Sequence, residues 1–548
     1  MKTTILSVHQ PTTNEKKTLN DLFNLKEEAC YLSIFELKHS HGFLGIIKLI
    51  INNRKSKFIL NLEGENTDYL KYILMTFALF AFKLKFTTLR QSKPTQVNIF
   101  TVLYTSLLIF LYTVKNYINL LKTKLLLALF KPKPLDFDPR KINEIYYLKT
   151  NMWFGIKAGG SIGHISGVVN SFVNRFKVKY LTCESPIMID PNVEIIDLNK
   201  ESKIRFAAPY ELNQLQISFM FFNYIKRLKK KPKYIYQRLT IYNFAGALAS
   251  KIFKIPFILE YNGSEVWIQT NWSKGLKYPE LAQQIETFCL NQASRIITIS
   301  KVLEDELLSK GIDKKRIITY PNCIDPSKYN VEVHDTNTRD KVRNRLGIKD
   351  QTLVFTFIGT FGAWHGVEFL AEAIKKFIDK HEESAPQSFK FLLIGQGVLF
   401  NSVYDSLSEE KYSRYVIFTG IVPQSSAPEY LNASDVFLSP HIKREGEAFF
   451  GSPTKLFEYM AYKKPIIASA LYQIKDVFEN PLYPNKSLEN KSADGLLYEP
   501  NNLDQFIYWL DFCLSHQGDE IIKNISINSY NNGMKNYTWD THVDRILS

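Results

Sequence analysis

The chain has 548 residues, 69 Lys and Arg against 54 Asp and Glu, and a formal net charge of +15. Its length exceeds one hydrophobic core and predicts about three domains. With 45% hydrophobic and 22% charged residues it is neither disordered nor fibrous, and the basic excess points to an anionic partner: nucleic acid, an anionic membrane or a phosphorylated substrate.

Up to residue 90, short β-like runs (Thr4–Val8, Tyr31–Phe35, Phe58–Leu62) alternate with helical ones and predict a small α/β unit. The opening MKTTILSVHQP lacks the apolar core of a signal peptide. Two apolar stretches follow. Tyr72–Phe82 has 11 residues, too few to span a bilayer, whereas Pro94–Val114 has 21 without a charge, enough to span. Lys83, Lys85, Arg90 and Lys93 precede the longer stretch, and Lys115, Lys122, Lys124, Lys131 and Lys133 follow it. Neither side is depleted of positive charge, which argues against a simple span. The expectation is helices that dip into, or lie on, the cytoplasmic face of the cell membrane, peripheral or monotopic. The alternative is a buried helical hairpin in a soluble domain.

Lys131-Pro132-Lys133-Pro134 marks a boundary, so residues 1–135 form an N-terminal extension. Strand-like runs then alternate with helical ones: Ile145–Leu148, Val178–Leu181, Tyr234–Tyr236, Phe257–Tyr261, Ile296–Ile299 and Ile317–Tyr320 over 143–335, then Val354–Ile358, Phe391–Ile394, Val416–Thr419, Val436–Ser439 and Ile466–Ala468 over 336–525. This pattern predicts two parallel-sheet α/β domains in tandem, with ligands at the carboxyl ends of their strands. The five cysteines (Cys30, Cys183, Cys289, Cys323, Cys513) are far apart with no CxxC pair, which argues against a zinc site or a disulfide framework and fits a reducing cytosol.

Three glycine-punctuated loops sit at strand ends ahead of helical runs. The first contains Gly159, Gly160, Ser161 and His164, the second Gly359, Thr360 and His365, and the third Gly395. Each is either a phosphate cradle or a plain tight turn, and together they point to a nucleotide-type ligand between two domains. The stretch FFGSPTKLFEYMA, Phe449–Ala461, adds a helix start. Ser452 is a candidate cap and Pro453 suits the first helical position. Lys455 and Glu458 lie at i and i+3 on one face, either as a surface ion pair or as a phosphate seat beside a carboxylate that accepts hydroxyl groups. The basic run Lys226–Lys233 follows an aromatic pattern and reads as a solvated face or an anionic membrane contact; no nucleic-acid motif accompanies it. No Asp-x-Asp motif is placed for a divalent cation, so no metal is expected.

From about Asn151 onward the chain resembles the retaining glycosyltransferases of family 4, with the GT-B fold: two Rossmann-like domains facing a cleft. The resemblance rests on Ser294–Asp325 (SRIITISKVLEDELLSKGIDKKRIITYPNCID), FIGTFGAWHGVEFLAEAI, LLIGQG, VIFTGIVPQSSAPEYLNASDVFLSP and the FFGSPTKLFEYMA stretch, in order. The SPTKLFEYMA form resembles a subset of the family with an SPxKxxEYMA donor motif. The resemblance implies a nucleotide-sugar donor on the C-terminal domain and an acceptor on the N-terminal one. It gives Glu458 the nucleotide's ribose, Lys455 and the helix start (Gly451, Ser452, Pro453, Thr454) the diphosphate and sugar, and Gly159-Gly160 an approach to the diphosphate. It also implies that Tyr537-Thr538-Trp539 lies in a final helix, within 526–548, that packs back on the first domain.

Departures from the family pattern are visible. The first Glu of the usual E-x7-E pair corresponds to Phe450, with Glu445 and Glu447 just upstream. The usual Arg and Lys of the first C-terminal loop correspond to Thr360 and His365, leaving Lys455 and Arg444 to meet a diphosphate. Glu260, Asn262 and Glu265 follow a strand where the family often places a His or acidic residue near the reacting centre, and they are candidates for acceptor binding or proton uptake, or parts of an Asn-Gly turn. His164 is a candidate contact to acceptor or phosphate, or a structural histidine. The expected activity is a membrane-associated, retaining, hexosyltransferase-like enzyme of polysaccharide or cell-envelope biosynthesis, acting on a lipid-linked or glycan acceptor. A sugar-nucleotide epimerase on the same fold and an inactive basic binding homologue are the alternatives.

Overall fold

The computed structural model describes residues 98–152, 159–201, 204–272, 275–330, 336–381, 388–484 and 490–548, and before them 3–7, 11, 13–25, 29–33, 48, 57–62, 67–76, 86–90 and 93–96. Parts of the expected elements, namely Val8, Ile34, Phe35, residues 77–82 of the shorter apolar stretch, and Lys157 and Ala158 of the first glycine loop, lie outside the described residues.

The extension is a five-stranded sheet of β1 (Thr3–Ser7), β2 (Cys30–Ser33), β3 (Lys57–Asn61), β4 (Phe86–Arg90) and β5 (Lys93–Gln96), in the order β2-β1-β3-β4-β5. All pairs are parallel except the β4–β5 hairpin. The expected apolar segment from Pro94 is therefore divided. Its first residues complete this hairpin, and the helix α1 starts at Ile99 and runs unbroken to Leu129. Asn98 caps it, its Oδ1 accepting from Thr101 N at 2.8 Å.

The sides of α1 are reversed relative to a soluble helix. Asn116, Asn119 and Thr123 face the protein and are buried, while thirteen large hydrophobic side chains from Ile99 to Leu129 are exposed. Asn116 Nδ2 donates to Asn213 Oδ1 at 3.0 Å, and Gln216 Nε2 donates to Asn116 Oδ1 at 2.7 Å. These bonds explain why Asn116 faces inward: a buried amide needs partners, and another helix, Asn213–Arg227, supplies them. A buried hairpin is thus excluded for this segment.

The first Rossmann-like domain is a seven-stranded, all-parallel sheet. Its strands are β6 (Glu144–Leu148), β7 (Lys177–Thr182), β8 (Glu194–Asp197), β9 (Ile235–Arg238), β10 (Phe257–Tyr261), β11 (Arg295–Thr298) and β12 (Ile317–Thr319), ordered β12-β11-β10-β9-β6-β7-β8. The second has β13 (Leu353–Ile358), β14 (Phe389–Ile394), β15 (Val416–Gly420), β16 (Val436–Ser439), β17 (Ile466–Ser469), β18 (Pro481–Leu482) and β19 (Gly495–Tyr498), ordered β15-β14-β13-β16-β17-β19-β18 and again all parallel. Strands such as β10 and β16 are buried at every residue, as sheets covered by helices on both faces require. Both GT-B domains are present as the sequence implies, with β8, β18 and β19 added at the sheet ends.

The return to the first domain comes later than residue 526. The helix Glu520–Asn536 stays with the second domain, and the chain crosses at Tyr537-Thr538. There Ile324 N donates to Tyr537 O at 2.7 Å and Trp539 N donates to Ile324 O at 3.1 Å, so the outgoing and returning strands run side by side. The last helix, Trp539–Leu547, then packs into the first domain's core with Trp539, Val543 and Ile546.

Candidate functional site

The carboxyl ends of the two sheets face each other, and three helices position the groups between them. In the order of the chain these are α2 (Gly160–Val173), α3 (Glu265–Trp272) and α4 (Thr454–Met460). Helix α2 follows Gly159, whose φ of 146° favours glycine. A Cβ on Gly160 would lie 2.7 Å from Thr454 Oγ1, so the bare backbone lets the start of α2 rest against the start of α4 across the cleft.

Lys455 and Glu458 share a face of α4 but go to different partners. Lys455 Nζ lies 3.4 Å from His365 Nδ1 and over the Phe357 ring. Gly359 makes the room: a Cβ there would sit 2.6 Å from that ammonium. Burial pulls Lys455 down to about 7, with Glu458 opposing the shift. Burial, assisted by Lys455, pulls His365 down to about 3 and His441 well below its usual range. The ring centroids of the two histidines are 5.4 Å apart. One buried amine thus faces two neutral imidazoles, and among the described residues it forms no ion pair.

Glu458 Oε1 accepts from Gln424 Nε2 at 3.4 Å, and the same amide donates to Tyr329 Oη at 2.7 Å. Gln424 Oε1 accepts from Gly159 N at 3.0 Å, joining the first glycine loop to the second domain. Burial pushes Glu458 up to about 7, against the Tyr329 hydroxyl and Lys455.

A second network lies beneath. His164 Nδ1 is 2.5 Å from Asn322 Oδ1, and its Nε2 is 3.0 Å from Glu260 Oε1, within ion-pair range though poorly aligned as a hydrogen bond. Asn322 Nδ2 donates to Ser452 O, which fixes the amide so that its oxygen faces His164. Burial alone would raise Glu260, but His164, Arg238 and Tyr236 outweigh it and hold the carboxyl at about 2. Glu260 is fully buried, and a carboxylate held that low is a fixed anion, unsuited to the proton uptake considered for it. Glu265, at the start of α3, is the opposite case. Burial raises it to about 7, with Arg238 opposing and Glu286 adding.

Several expected positions have other work. Ser452 does not cap α4; its Oγ accepts from Asn322 N at 2.9 Å, and Pro453 takes the cap position one residue before the helix. Gly395 serves packing: a Cβ there would be 1.9 Å from Gly359 O, so the second and third glycine loops lock against each other. Thr360 is exposed, Ser161 is half-buried in the first turn of α2, and Gly451 packs against Phe449. Glu447 pairs with Arg444, the cation considered for the diphosphate, at 3.2 Å. Phe450 meets Trp267 of α3 edge-on at 5.6 Å and approaches Gly263, closing one margin of the cleft with aromatic surface. The sequence reading missed Asn322, Tyr329, Gln424 and His441. Asn322 and Gln424 stand in quoted motifs, but their partners are over a hundred positions away in the case of Asn322 and Ser452, beyond any local pattern.

Residues 159–328 match the family model described as Glycosyltransferase Family 4, and residues 352–515 match that described as Glycosyl transferases group 1. The chain is 24% identical over 325 residues to the UDP-Gal:alpha-D-GlcNAc-diphosphoundecaprenol alpha-1,3-galactosyltransferase of Escherichia coli, covering 58% of this chain and 76% of that protein. In fold it is similar to a glycosyltransferase from Rickettsia africae (TM-score 0.53, 16% identity, 74% of this chain and 97% of the other). It is also similar to Anabaena Alr3699/HepE, solved in complex with UDP-glucose (TM-score 0.52, 15% identity, 74% and 99%). With one matched segment on each side of the cleft, the chain is a GT-B glycosyltransferase of the family 4 type.

Proposed function

We propose that this glycosyltransferase moves a sugar, with retention, from a nucleoside diphosphate sugar to a lipid-linked or envelope glycan acceptor at the cytoplasmic face of a membrane. The observation that carries the donor reading is Lys455: a buried amine in the first turn of α4 with two neutral histidines for company and, among the described residues, no carboxylate paired to it. Such a group is costly without an anion and gains one when a diphosphate arrives. As the sugar leaves, charge grows on the diphosphate, and the Lys455 amine, recharged as the diphosphate binds, is positioned to stabilise it. Glu458, one turn along α4, would exchange Gln424 for the ribose hydroxyls. Glu265, on the acceptor side and raised to about 7, is suited to take the acceptor hydroxyl's proton at neutral pH. The reading needs no metal, since Lys455 supplies the cation. The lipid-linked acceptor is supported by the outward apolar face of α1 and by the diphosphoundecaprenol in the Escherichia coli relative's name.

The test is binding of UDP, GDP, ADP and their sugar conjugates to wild type and Glu458→Ala. One nucleotide should bind saturably, and the variant should weaken it by about tenfold to a hundredfold, the scale of a lost charged hydrogen bond. Absence of binding by every nucleotide would overturn the donor reading and favour an inactive homologue, with Phe450 in the first Glu position as its cause.

A further inference from the structure

Away from the cleft, the C-terminal half of α1 and the helix Pro279–Gln292 enclose a groove of about 900 Å³. Its two walls differ. Leu127 and Ala128 of α1 give an apolar side that continues into the exposed stripe of that helix. Gln284 and Thr287 of the facing helix give an exposed side of amide and hydroxyl groups. Lys124 and Lys277 stand on the rim, both exposed, against one lining acid, Glu280.

The charges of α1 fit this arrangement. No Asp or Glu occurs between Ile99 and Leu129. At about 100° per residue, Lys115 and Lys122 fall on one margin of the apolar stripe and Lys124 on the other. A helix at a bilayer surface has this layout, with its apolar face in the acyl region and lysines among the phosphates. The groove then opens at headgroup depth, and its size is that of a small-molecule site.

We propose that this groove holds the phosphate headgroup of an anionic bilayer lipid, Lys124 and Lys277 meeting the phosphate, Gln284 and Thr287 the glycerol or sugar hydroxyls, and the lipid chain lying along Leu127 and Ala128. This rests on the reading of α1 as a membrane-lying helix. It adds a selective lipid site to general adhesion, distinct from the donor cleft.

Flotation of the full chain with phosphatidylcholine vesicles, with and without phosphatidylglycerol, tests it. Ala128→Trp fills the groove without changing charge, and Lys124→Ala/Lys277→Ala removes the rim cations. Both should keep binding to neutral vesicles and lose about tenfold or more of the preference for anionic ones. The exposed pair Lys229→Ala/Lys230→Ala, away from the groove, should lose distinctly less. An unchanged preference in Ala128→Trp, or equal losses in the two lysine pairs, would overturn the groove. Leu107→Asp/Leu111→Asp, on the stripe, should lose both vesicle types; if it binds both as wild type does, the membrane reading of α1 fails and the groove proposal with it.

Discussion

Lys455 and Glu458 show how one pair of residues can be strained by design at neutral pH. Lys455 falls from 10.5 to about 7, so its contribution to stability is present above 10.5 and lost as pH falls to 7. Glu458 rises from 4.5 to about 7, so its contribution is present below 4.5 and lost as pH rises to 7. The two losses meet near pH 7, where the free site is least stable. Replacing the amine by an apolar chain of similar length should relieve this: Lys455→Met is expected to raise Tm at pH 7 by about 2 °C or more while lowering turnover by about a hundredfold to a thousandfold, read by calorimetry and sugar transfer. An arriving diphosphate should recharge the amine. Calorimetric titrations at pH 8.5 in buffers of different ionisation enthalpy should therefore show proton uptake on nucleotide binding in wild type and less in Lys455→Met. The sequence displayed the i,i+3 spacing and the missing loop cations. It did not display that the two side chains would turn to different partners, because His441, Gln424 and Tyr329 come from other strands and loops.

Among the elements, α2 was legible as a glycine-led helix but not as a packed one. Gly159 and Gly160 were read as a phosphate approach, and Gly160 also has to admit Thr454. Gly167, two turns on, meets the last helix: a Cβ there would lie 2.2 Å from Trp539 Nε1. Gly167→Ala should cost about 1–3 kcal/mol through overpacking, seen as a lower Tm, with nucleotide affinity little changed in the folded fraction. Gly160→Ala should do the reverse, weakening nucleotide binding by pushing α2 off α4 while leaving Tm near wild type. If both variants behave alike, the division between a packing glycine and a cleft glycine is wrong. The α4 boundary itself was misread by one residue, since the demand of Asn322 for Ser452 outranks local capping.

At the scale of the molecule, the two Rossmann-like domains were legible because buried parallel strands write themselves as short apolar runs between helical periods. The extension was legible only in part. An uncharged run of 21 residues suits a span, a core helix or a surface helix equally, and what separates them is which face the neighbouring helix claims. Asn116, bonded to Asn213 and Gln216, fixes the polar face inward and leaves a stripe about 46 Å long outside, at 1.5 Å per residue. Leu107→Asp/Leu111→Asp should move the chain from the membrane to the soluble fraction of a cell lysate with nucleotide affinity retained, as purified from each fraction.

The side-by-side crossing strands also impose an order on biosynthesis. Ser171 of the first domain donates to Asp540, 369 positions later, and that domain's core is closed by Trp539, Val543 and Ile546. A ribosome releases the first domain's own strands long before it makes this last helix. The first domain must wait, with part of its core uncovered, while the entire second domain is translated and folded. Its completion is therefore a late, long-range event, and the waiting nascent chain exposes an apolar bed under His164 to chaperones or to a neighbouring polysome.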